Sequence, residues 1–193
     1  HLAQKLVKVA DEVVCLDNYL SGSTRNHLPG VRYIAGDVQN ICEIFSKDRF
    51  DYIFHFGEYS RVERSLAEPD LALTNIYQTF TPVLKYWKST GAKLIYSGSS
   101  TKFSDNGTGK NLSPYTAAKC ANSELLVNYG RWYKLPFNIV YFYNVYGGRE
   151  IQEGSYATVI GKFKHLVSNG ARKLPVTSPG LQIRNFTHVD DIT

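Results

Sequence analysis

Short apolar runs alternate with helical patterns along the chain, and this alternation restricts the fold more than any other feature of the sequence. The helical patterns cover residues 71–89 and 115–134. The apolar runs are nearly continuous, which is typical of strands that are covered on both faces. Together they predict an α/β fold with a doubly wound parallel sheet, in which ligands bind beyond the carboxyl ends of the strands. The apolar runs cover residues 12–17, 31–37, 51–57, 93–98 and 137–142.

Composition and charge narrow the range of partners. The net charge is +5, but the Lys and Arg residues are scattered, which argues against nucleic acid and suits a small anionic ligand such as a diphosphate. No stretch of the sequence has the character of a transmembrane span or a signal peptide. Cys15, Cys42 and Cys120 are widely spaced and match neither metal-ligand nor redox pairs. These features predict a cytoplasmic protein that binds no metal, nucleic acid or membrane.

Two polar clusters are candidates for catalysis. Tyr115 and Lys119 are four residues apart in a helical pattern and therefore share one helix face. A nearby ammonium favours a phenolate, so this pair could supply a general base near neutral pH. Residues 97–101 form a hydroxyl-rich cluster directly after an apolar run, where a hydroxyl could hold a substrate. Taken alone, each cluster is more often an ordinary helix surface or a polar turn.

Asp17 is a candidate for cofactor recognition because it closes one of the apolar runs. An acid at the end of such a strand accepts hydrogen bonds from the ribose hydroxyls of a dinucleotide and repels a 2′-phosphate. This chemistry favours NAD over NADP. A helix or turn cap is the alternative role, and the residue by itself leaves both open.

Several segments, in order along the chain, together resemble the extended short-chain dehydrogenase/reductase family in its NAD-dependent epimerase/dehydratase branch. The segment Phe-His-Phe-Gly resembles the family's strand under the cofactor, and Tyr-Asn-Val-Tyr-Gly is similar to its FNVYG segment. Arg-Asn-Phe-Thr-His-Val-Asp-Asp resembles its RDFxHVDD signature. The hydroxyl cluster and the Tyr-Lys pair complete a resemblance that covers nearly the whole chain. The segments are residues 54–57, 97–101, 115–119, 143–147 and 184–191.

The resemblance implies roles for individual residues. Tyr115, Lys119 and Ser99 match the catalytic triad of the family. The substrate, a nucleotide-diphosphate sugar, would contact Ser99, Ser100, Asn144 and Arg184, and the planar guanidinium of the last would suit a diphosphate. The implied NAD contacts lie mostly at strand ends and in the segments that follow them: Asp17, Asn18, Ser21, Gly22, Asp37, Val38, Phe56, Gly57, Ser60, Asn75, Ser97, Tyr115, Lys119, Phe142 and Val145.

The resemblance also implies a domain organisation. Residues 1–146 are expected to form an NAD-binding Rossmann-like domain, and residues 147–193 part of a substrate-binding lobe. The chain opens on a helical pattern and contains no Gly-rich phosphate loop, so we expect a fragment that lacks the first strand and is itself inactive. Family members pair through two helices, which predicts a homodimer through residues 71–89 and 115–134.

Some residues depart from the family pattern. Gly57 stands where Ala is usual, and Glu58 occupies a position that is normally small. Ser60 stands where some epimerases carry a Lys that touches the cofactor, and Arg61 is its neighbour. The loop between the catalytic Ser and Tyr is also shorter than in common epimerases, which could alter the sugar pocket.

The choice among the family's chemistries is made by elimination. The 4,6-dehydratases need an Asp-Glu pair directly after the catalytic Ser or Thr, and here Ser100 and Thr101 stand there. Decarboxylases typically keep a Glu at the second position. A UDP-hexose 4-epimerase that acts through a 4-keto intermediate is the function that remains. A 4,6-dehydratase, an NAD-dependent sugar reductase and a non-catalytic NAD-binding relative stay open as alternatives.

Overall fold

The computed structural model describes residues 1–103, 109 and 112–193. Each of the five predicted apolar runs contains a strand, and two short strands follow later in the chain. Residues 104–108, 110 and 111, which belong to the loop between Ser99 and Tyr115, lie outside the described residues. The strands are β1 Val13–Asp17, β2 Val31–Ala35, β3 Tyr52–His55, β4 Lys93–Ser99, β5 Phe137–Phe142, β6 Val145–Tyr146 and β7 Thr187–His188.

Helices connect most of these strands, as the alternating pattern predicts. Short 3₁₀ turns cover Thr24–Asn26, Val38–Asn40 and Ser100–Phe103, and a π-helical turn covers Thr74–Gln78. The α-helices are α1 Leu2–Leu6, α2 Ile41–Ile44, α3 Arg64–Ala67, α4 Pro69–Leu73, α5 Thr79–Thr90, α6 Pro114–Tyr133, α7 Val159–Ser168 and α8 Val189–Ile192.

The strands of the described residues form three sheets. β4 lies between β3 and β5 and is parallel to both, with His55 opposite Tyr96 and Ser99 opposite Phe142. β1 pairs with β2, and β6 runs parallel to β7. The α/β fold with parallel strands and intervening helices is therefore confirmed, although the strands are divided among separate sheets.

The chain divides into two compact units. The first contains residues 1–15, 19–33 and 143–193, and the second contains residues 16–18 and 34–142. These bounds differ from the boundary between residues 146 and 147 that the sequence suggests. The division into an NAD-binding domain and a substrate-binding lobe at that boundary stays a prediction.

The core of the second unit lies where α5 and α6 pack beside β4. Trp87 of α5 is fully buried, and its indole nitrogen donates a hydrogen bond of 2.8 Å to the carbonyl of Ala92. Partners of this kind are needed because a buried N–H without an acceptor is costly. The largest fully buried side chains are Trp87, Tyr96, Phe80, Ile76, Leu94 and Leu126.

The start of α6 follows the sequence prediction closely. Ser113 is the N-cap, and its hydroxyl accepts a hydrogen bond from the backbone N–H of Thr116. Pro114 occupies the first helical position, where its missing N–H would have no helical partner. The helix ends before Lys134, which adopts a left-handed conformation with φ of 53°. The local sequence therefore fixes where α6 begins, and with it the position of Tyr115 in the first turn.

The helix predicted over residues 71–89 is interrupted. The π-helical turn at Thr74–Gln78 separates α4 from α5. Asn75 lies in this turn rather than early in a helix, and its side-chain oxygen accepts a 2.6 Å hydrogen bond from the backbone N–H of Tyr59. Such turns are frequent at functional sites. Here the turn connects the helix to the segment that follows β3.

Gly130 provides a test of the packing of α6. A Cβ atom at this position would lie 2.5 Å from two ring carbons of Phe137 and 3.2 Å from Cη2 of Trp87. Gly130→Ala should therefore lower the free energy of unfolding of the full-length protein by about 1–3 kcal/mol, because two rigid rings must shift. This loss would occur although Ala is the better helix former. Urea unfolding measures it.

The matched control is Asn128→Ala on the exposed face of the same helix. It should leave the free energy of unfolding unchanged or slightly raised, because Ala has the higher helix propensity. Equal stability of the two variants would contradict the close packing of Gly130.

Candidate active site

A cleft lies at the carboxyl end of β1, within the second unit. Asp17, Asn18, Val38, Gly57 and Asn75 are residues that the sequence assigned to the cofactor, and all of them line it. Their gathering at one strand end matches the place where doubly wound sheets bind ligands. Three further residues that were not predicted from the sequence also line the cleft: Leu16, Gly36 and Thr79.

Asp37 organises the rim of this cleft. One of its carboxylate oxygens accepts a hydrogen bond of 3.0 Å from the side-chain amide of Asn18, and the other accepts one of 2.9 Å from the backbone N–H of Gln39. Asp37 is thus the N-cap of the 3₁₀ turn that contains Val38. Asp37 therefore orients Asn18 and the turn that contains Val38, two residues that are also predicted to contact the cofactor.

Two glycines differ in the space around them. A Cβ atom at Gly36 would lie 3.1 Å from Ile44 and 3.2 Å from Leu16, so this glycine is closely packed. A Cβ atom at Gly57 would meet no atom within 4 Å, so the Ala that is usual there would fit. Open space at Gly57 and a carboxylate at the end of β1 fit the adenosine part of a dinucleotide.

The structure brings Ser99, Tyr115 and Lys119 together. Ser99 is buried at the last position of β4, and Tyr115 lies in the first turn of α6, where its phenol interacts with Ser99. Lys119 follows one turn later and is also buried. The backbone N–H of Tyr115 donates a 3.3 Å hydrogen bond to the hydroxyl of Ser65 in α3, which fixes the start of α6.

A chain of hydroxyl groups extends from Ser99 away from the triad. Ser99 Oγ and Thr101 Oγ1 are 2.7 Å apart, and Thr101 Oγ1 donates a hydrogen bond of 3.3 Å to Thr116 Oγ1. Thr116 Oγ1 is in turn 3.0 Å from Ser113 Oγ, the N-cap of α6. The orientation of the Ser99 hydroxyl is therefore coupled to the start of the helix that carries Tyr115.

Lys119 forms a buried ion pair with Glu58. Its ammonium donates to Oε2 of Glu58, and it donates a second hydrogen bond of 3.3 Å to Ser97 Oγ. The same Glu58 oxygen accepts a hydrogen bond of 3.0 Å from the hydroxyl of Tyr96, and the other oxygen lies 3.1 Å from Nε2 of His55. The sequence showed Glu58 only as a departure from the family pattern. A charged residue directly after an apolar run was the signal that a partner should exist, because buried charges are paired.

Burial and charge set the acidity of these groups. Burial raises the pKa of Glu58, but His55 and Lys119 outweigh this through attraction and hydrogen bonds, and the pKa of Glu58 lies below its ordinary value. Burial lowers the pKa of Lys119, and the Glu58 carboxylate limits that fall. The carboxylate form of Glu58 is thus stabilised in the folded protein.

Tyr115 has a different acidity from the one that the sequence led us to expect. Burial raises the pKa of its phenol; the hydrogen bond with Ser99 lowers it, and the charge of Glu58 raises it. The expected lowering by Lys119 is not found, because that ammonium pairs with Glu58. A phenol with a raised pKa is a stronger base once it is ionised.

Other predicted site residues of the second unit make separate contacts. Phe56 and Phe142 contact each other edge to face with ring centroids 5.3 Å apart. Ser60 is exposed, and its hydroxyl accepts a 3.2 Å hydrogen bond from the guanidinium of Arg61. Ser100 begins the 3₁₀ turn that follows β4.

The remaining predicted residues belong to the first unit. Asn144 has a left-handed φ of 32°, and its side-chain amide donates a 2.9 Å hydrogen bond to the carbonyl of Asn185. Val145 pairs with Thr187 across β6 and β7. These contacts place Asn144 beside the segment that carries the exposed Arg184. The role of the two residues in substrate binding stays a prediction. Ser21 and Gly22 lie in an exposed loop after β1.

The whole chain, residues 1–193, matches the sequence model of the NAD dependent epimerase/dehydratase family. The protein therefore belongs to this family, and NAD is the family's cofactor. None of the helices described here has the length and apolar character needed to cross a membrane.

Individual relatives carry out different reactions within this family. The chain is 24% identical to a putative UDP-glucose 4-epimerase of Methanocaldococcus jannaschii, covering 100% of this chain and 66% of that protein. It is 29% identical to a UDP-N-acetyl-alpha-D-glucosaminuronate decarboxylase of Bacillus cytotoxicus, covering 99% of this chain and 64% of that protein. The chain thus spans about two thirds of the length of these relatives.

A solved structure shows the same fold. The UDP-glucose 4-epimerase of Thermotoga maritima, determined with UDP-glucose, aligns with a TM-score of 0.90 at 24% identity, over 100% of this chain and 66% of that one. The Rossmann-like architecture expected from the sequence is confirmed.

Thr101 offers a test of the hydroxyl chain. Thr101→Val keeps the shape of the side chain but removes the hydroxyl that joins the buried Ser99 and Thr116. We expect it to lower the free energy of unfolding by about 1–3 kcal/mol, because two buried hydroxyls lose a partner. Thr101→Ser keeps the hydroxyl and should lower the free energy of unfolding by a smaller amount. Urea unfolding of the full-length protein separates the two, and an equal loss in both variants would point to packing of the methyl group instead.

Proposed function

We propose that the full-length protein is an NAD-dependent nucleotide-sugar epimerase, a UDP-hexose 4-epimerase that acts through a 4-keto intermediate. The observation that carries this proposal is the placement of a buried Ser99 hydroxyl at the end of β4, beside the helix α6 that carries Tyr115 and, one helical turn later, Lys119. Membership of the epimerase/dehydratase family and the epimerase among its relatives support it.

The residues of this chain would handle the proton of the reaction. NAD, when bound, supplies a reversible hydride acceptor. Tyr115 takes the proton from the 4-hydroxyl of the sugar as general base and returns it to the oxygen when the sugar is reduced on its other face. Ser99 holds the same hydroxyl in place, and its own orientation is fixed through Thr101. Tyr115 is half-buried, which limits the contact of its phenol with bulk water.

The residues after Ser99 favour epimerisation over dehydration. A 4,6-dehydratase needs carboxyl groups there for acid–base work, and hydroxyls such as those of Ser100 and Thr101 do not ionise near neutral pH. The Thr101 hydroxyl is instead bonded to Ser99 and Thr116. Glu58 is a buried carboxylate close to the triad, but its oxygens bind Lys119, Tyr96 and His55.

The chain carries residues suited to the cofactor and the substrate. Asp17 would accept hydrogen bonds from the adenosine ribose, and Asn18, Val38, Gly57 and Asn75 would line the adenosine site. Arg184 and Asn144 would bind the diphosphate of the sugar nucleotide.

Dimerisation and location are further parts of the proposal. Apolar side chains stay exposed on the helices predicted to pair, with Leu71 at 38%, Tyr77 at 41% and Leu125 at 38% exposure. Exposed apolar groups of this kind suit a homodimer interface. The cysteine spacing supports a cytoplasmic location.

Replacing Tyr115 with Phe tests the function. In the full-length protein Tyr115→Phe should slow interconversion of UDP-glucose and UDP-galactose by about 100- to 10,000-fold, the usual loss when a general base is removed. The content of bound NAD should stay the same, because the ring remains. The control is Tyr129→Phe, which removes a hydroxyl from the same helix where the ring stacks on Trp87. Near-full activity of Tyr115→Phe from pH 6 to 9 would overturn the assignment, as would a dehydrated product in place of an epimer.

Replacing Asp17 with Ala tests cofactor recognition. Loss of the carboxylate removes hydrogen bonds to the ribose and the repulsion of a 2′-phosphate, so the ratio of NADP to NAD affinity should rise by about ten- to a hundredfold. Titration calorimetry on cofactor-depleted protein measures both affinities. Asp11→Ala, which removes an exposed carboxylate before β1, should leave the ratio unchanged. An unchanged ratio in Asp17→Ala would assign the residue to a structural cap.

A further inference from the structure

Glu58 and Lys119 form a buried pair of opposite charges in the second unit. The Glu58 side chain is 2% exposed and the Lys119 side chain 3% exposed. Each charge loses its hydration in such a place, so each depends on the other and on hydrogen bonds for compensation. Glu58 follows β3 and Lys119 lies in α6, so the pair also joins two elements that are distant in the sequence.

Three groups around the Lys119 ammonium favour a cation. The ammonium donates to the Glu58 carboxylate and to the Ser97 hydroxyl. It also lies 4.3 Å from the centroid of the Tyr96 ring, an arrangement in which the aromatic face attracts positive charge. A carboxylate, a hydroxyl and an aromatic face together stabilise the protonated amine over the neutral one.

The Glu58 carboxylate is itself held rigidly. The hydroxyl of Tyr96 in β4 donates a hydrogen bond of 3.0 Å to one oxygen, and Nε2 of His55 in β3 lies 3.1 Å from the other. The carboxylate therefore has a partner on each of three elements, β3, β4 and α6. A group held in this way has one orientation, and it transmits that orientation to the ammonium that it binds.

We propose that Glu58 is a positioning residue of the active site, which holds the Lys119 ammonium protonated and in a fixed place and thereby sets the pH range in which Tyr115 works. This inference rests on the proposed function for its catalytic consequence. Its electrostatic part concerns only residues of this chain and can be measured without turnover. Neither the family pattern nor the catalytic triad assigns a role to Glu58.

The sign of the effect follows from the groups that face Glu58. These are His55 from β3, Tyr96 from β4, and Lys119 with Tyr115 from α6; Arg61, from the segment after β3, acts on Tyr115. Burial lowers the pKa of Lys119 and Glu58 opposes this, so neutralising Glu58 should lower the pKa of Lys119 further. Glu58 also raises the pKa of Tyr115, so neutralising it should lower that pKa too. Both groups should then lose their protons at lower pH.

The first experiment measures the protonation of Lys119 directly. The full-length protein is labelled with ¹³C,¹⁵N-lysine, and the side-chain resonance of Lys119 is assigned by its loss in Lys119→Met. In Glu58→Gln the proton of Lys119 should be bound about tenfold or more weakly than in the wild type. The control is Glu63→Gln, which neutralises an exposed carboxylate five residues away and should leave the titration of Lys119 unchanged. Equal titration in Glu58→Gln and the wild type would overturn the proposal.

A second variant covers the case in which Glu58→Gln does not fold. Glu58→Asp keeps the charge but moves it away from Lys119 by the length of one methylene. It should therefore weaken proton binding by Lys119 less than Glu58→Gln does and more than Glu63→Gln does. Two results together would overturn the proposal without the Gln variant. The titration of Lys119 in Glu58→Asp would match that in the wild type, and Lys119 would already be neutral at pH 7 in the wild type.

The pH dependence of turnover separates positioning from a merely structural role. In Glu58→Gln the pH–rate profile should move as a whole to lower pH, because both Tyr115 and Lys119 lose their protons at lower pH. A rate that falls equally at every pH would show a structural role only. If the wild-type protein has no epimerase activity, the proposed function fails, but the titration of Lys119 still decides whether Glu58 holds its charge.

Discussion

The parallel pairing of β4 with a strand on each side is the constraint on which the site depends. It places His55 of β3 opposite Tyr96 and Phe142 of β5 opposite Ser99. Because parallel strands end at the same edge of a sheet, the polar residues that close them are brought together there. The register thus delivers a buried hydroxyl at the end of β4, against which α6 can place a phenol and an ammonium.

Charge is the second constraint, and it is met by a network rather than by a single bond. A buried ammonium at Lys119 requires compensation, and the structure supplies it from Glu58, Ser97 and the ring of Tyr96. Glu58 in turn is secured by His55. The acidity of Tyr115 follows from this arrangement, since Glu58 and burial raise its pKa while Ser99 lowers it. The groups proposed for catalysis and the groups that hold them form one electrostatic unit.

Local signals predicted much of the fold because they depend on near neighbours in the chain. The apolar runs became strands, and the helical pattern over residues 115–134 became α6, which begins after the N-cap Ser113. The interruption of the helix around Asn75 was not predicted, because no Gly marks it. The turn carries a tertiary contact, a hydrogen bond from the backbone of Tyr59 to the side chain of Asn75. The division of the strands among three sheets likewise depends on contacts that no local pattern contains.

The sequence by itself determined the α/β class, the family, the shared helix face of Tyr115 and Lys119, and the strand-end position of Ser99 and Asp17. These follow from periodicity and from motifs whose members are close in the chain. Only the tertiary structure decided that Lys119 pairs with Glu58, a residue 61 positions away, and not directly with the phenol one turn before it. The physical reason is that the partner of a buried charge is chosen by distance and desolvation in the folded core, and separation along the sequence carries no information about either.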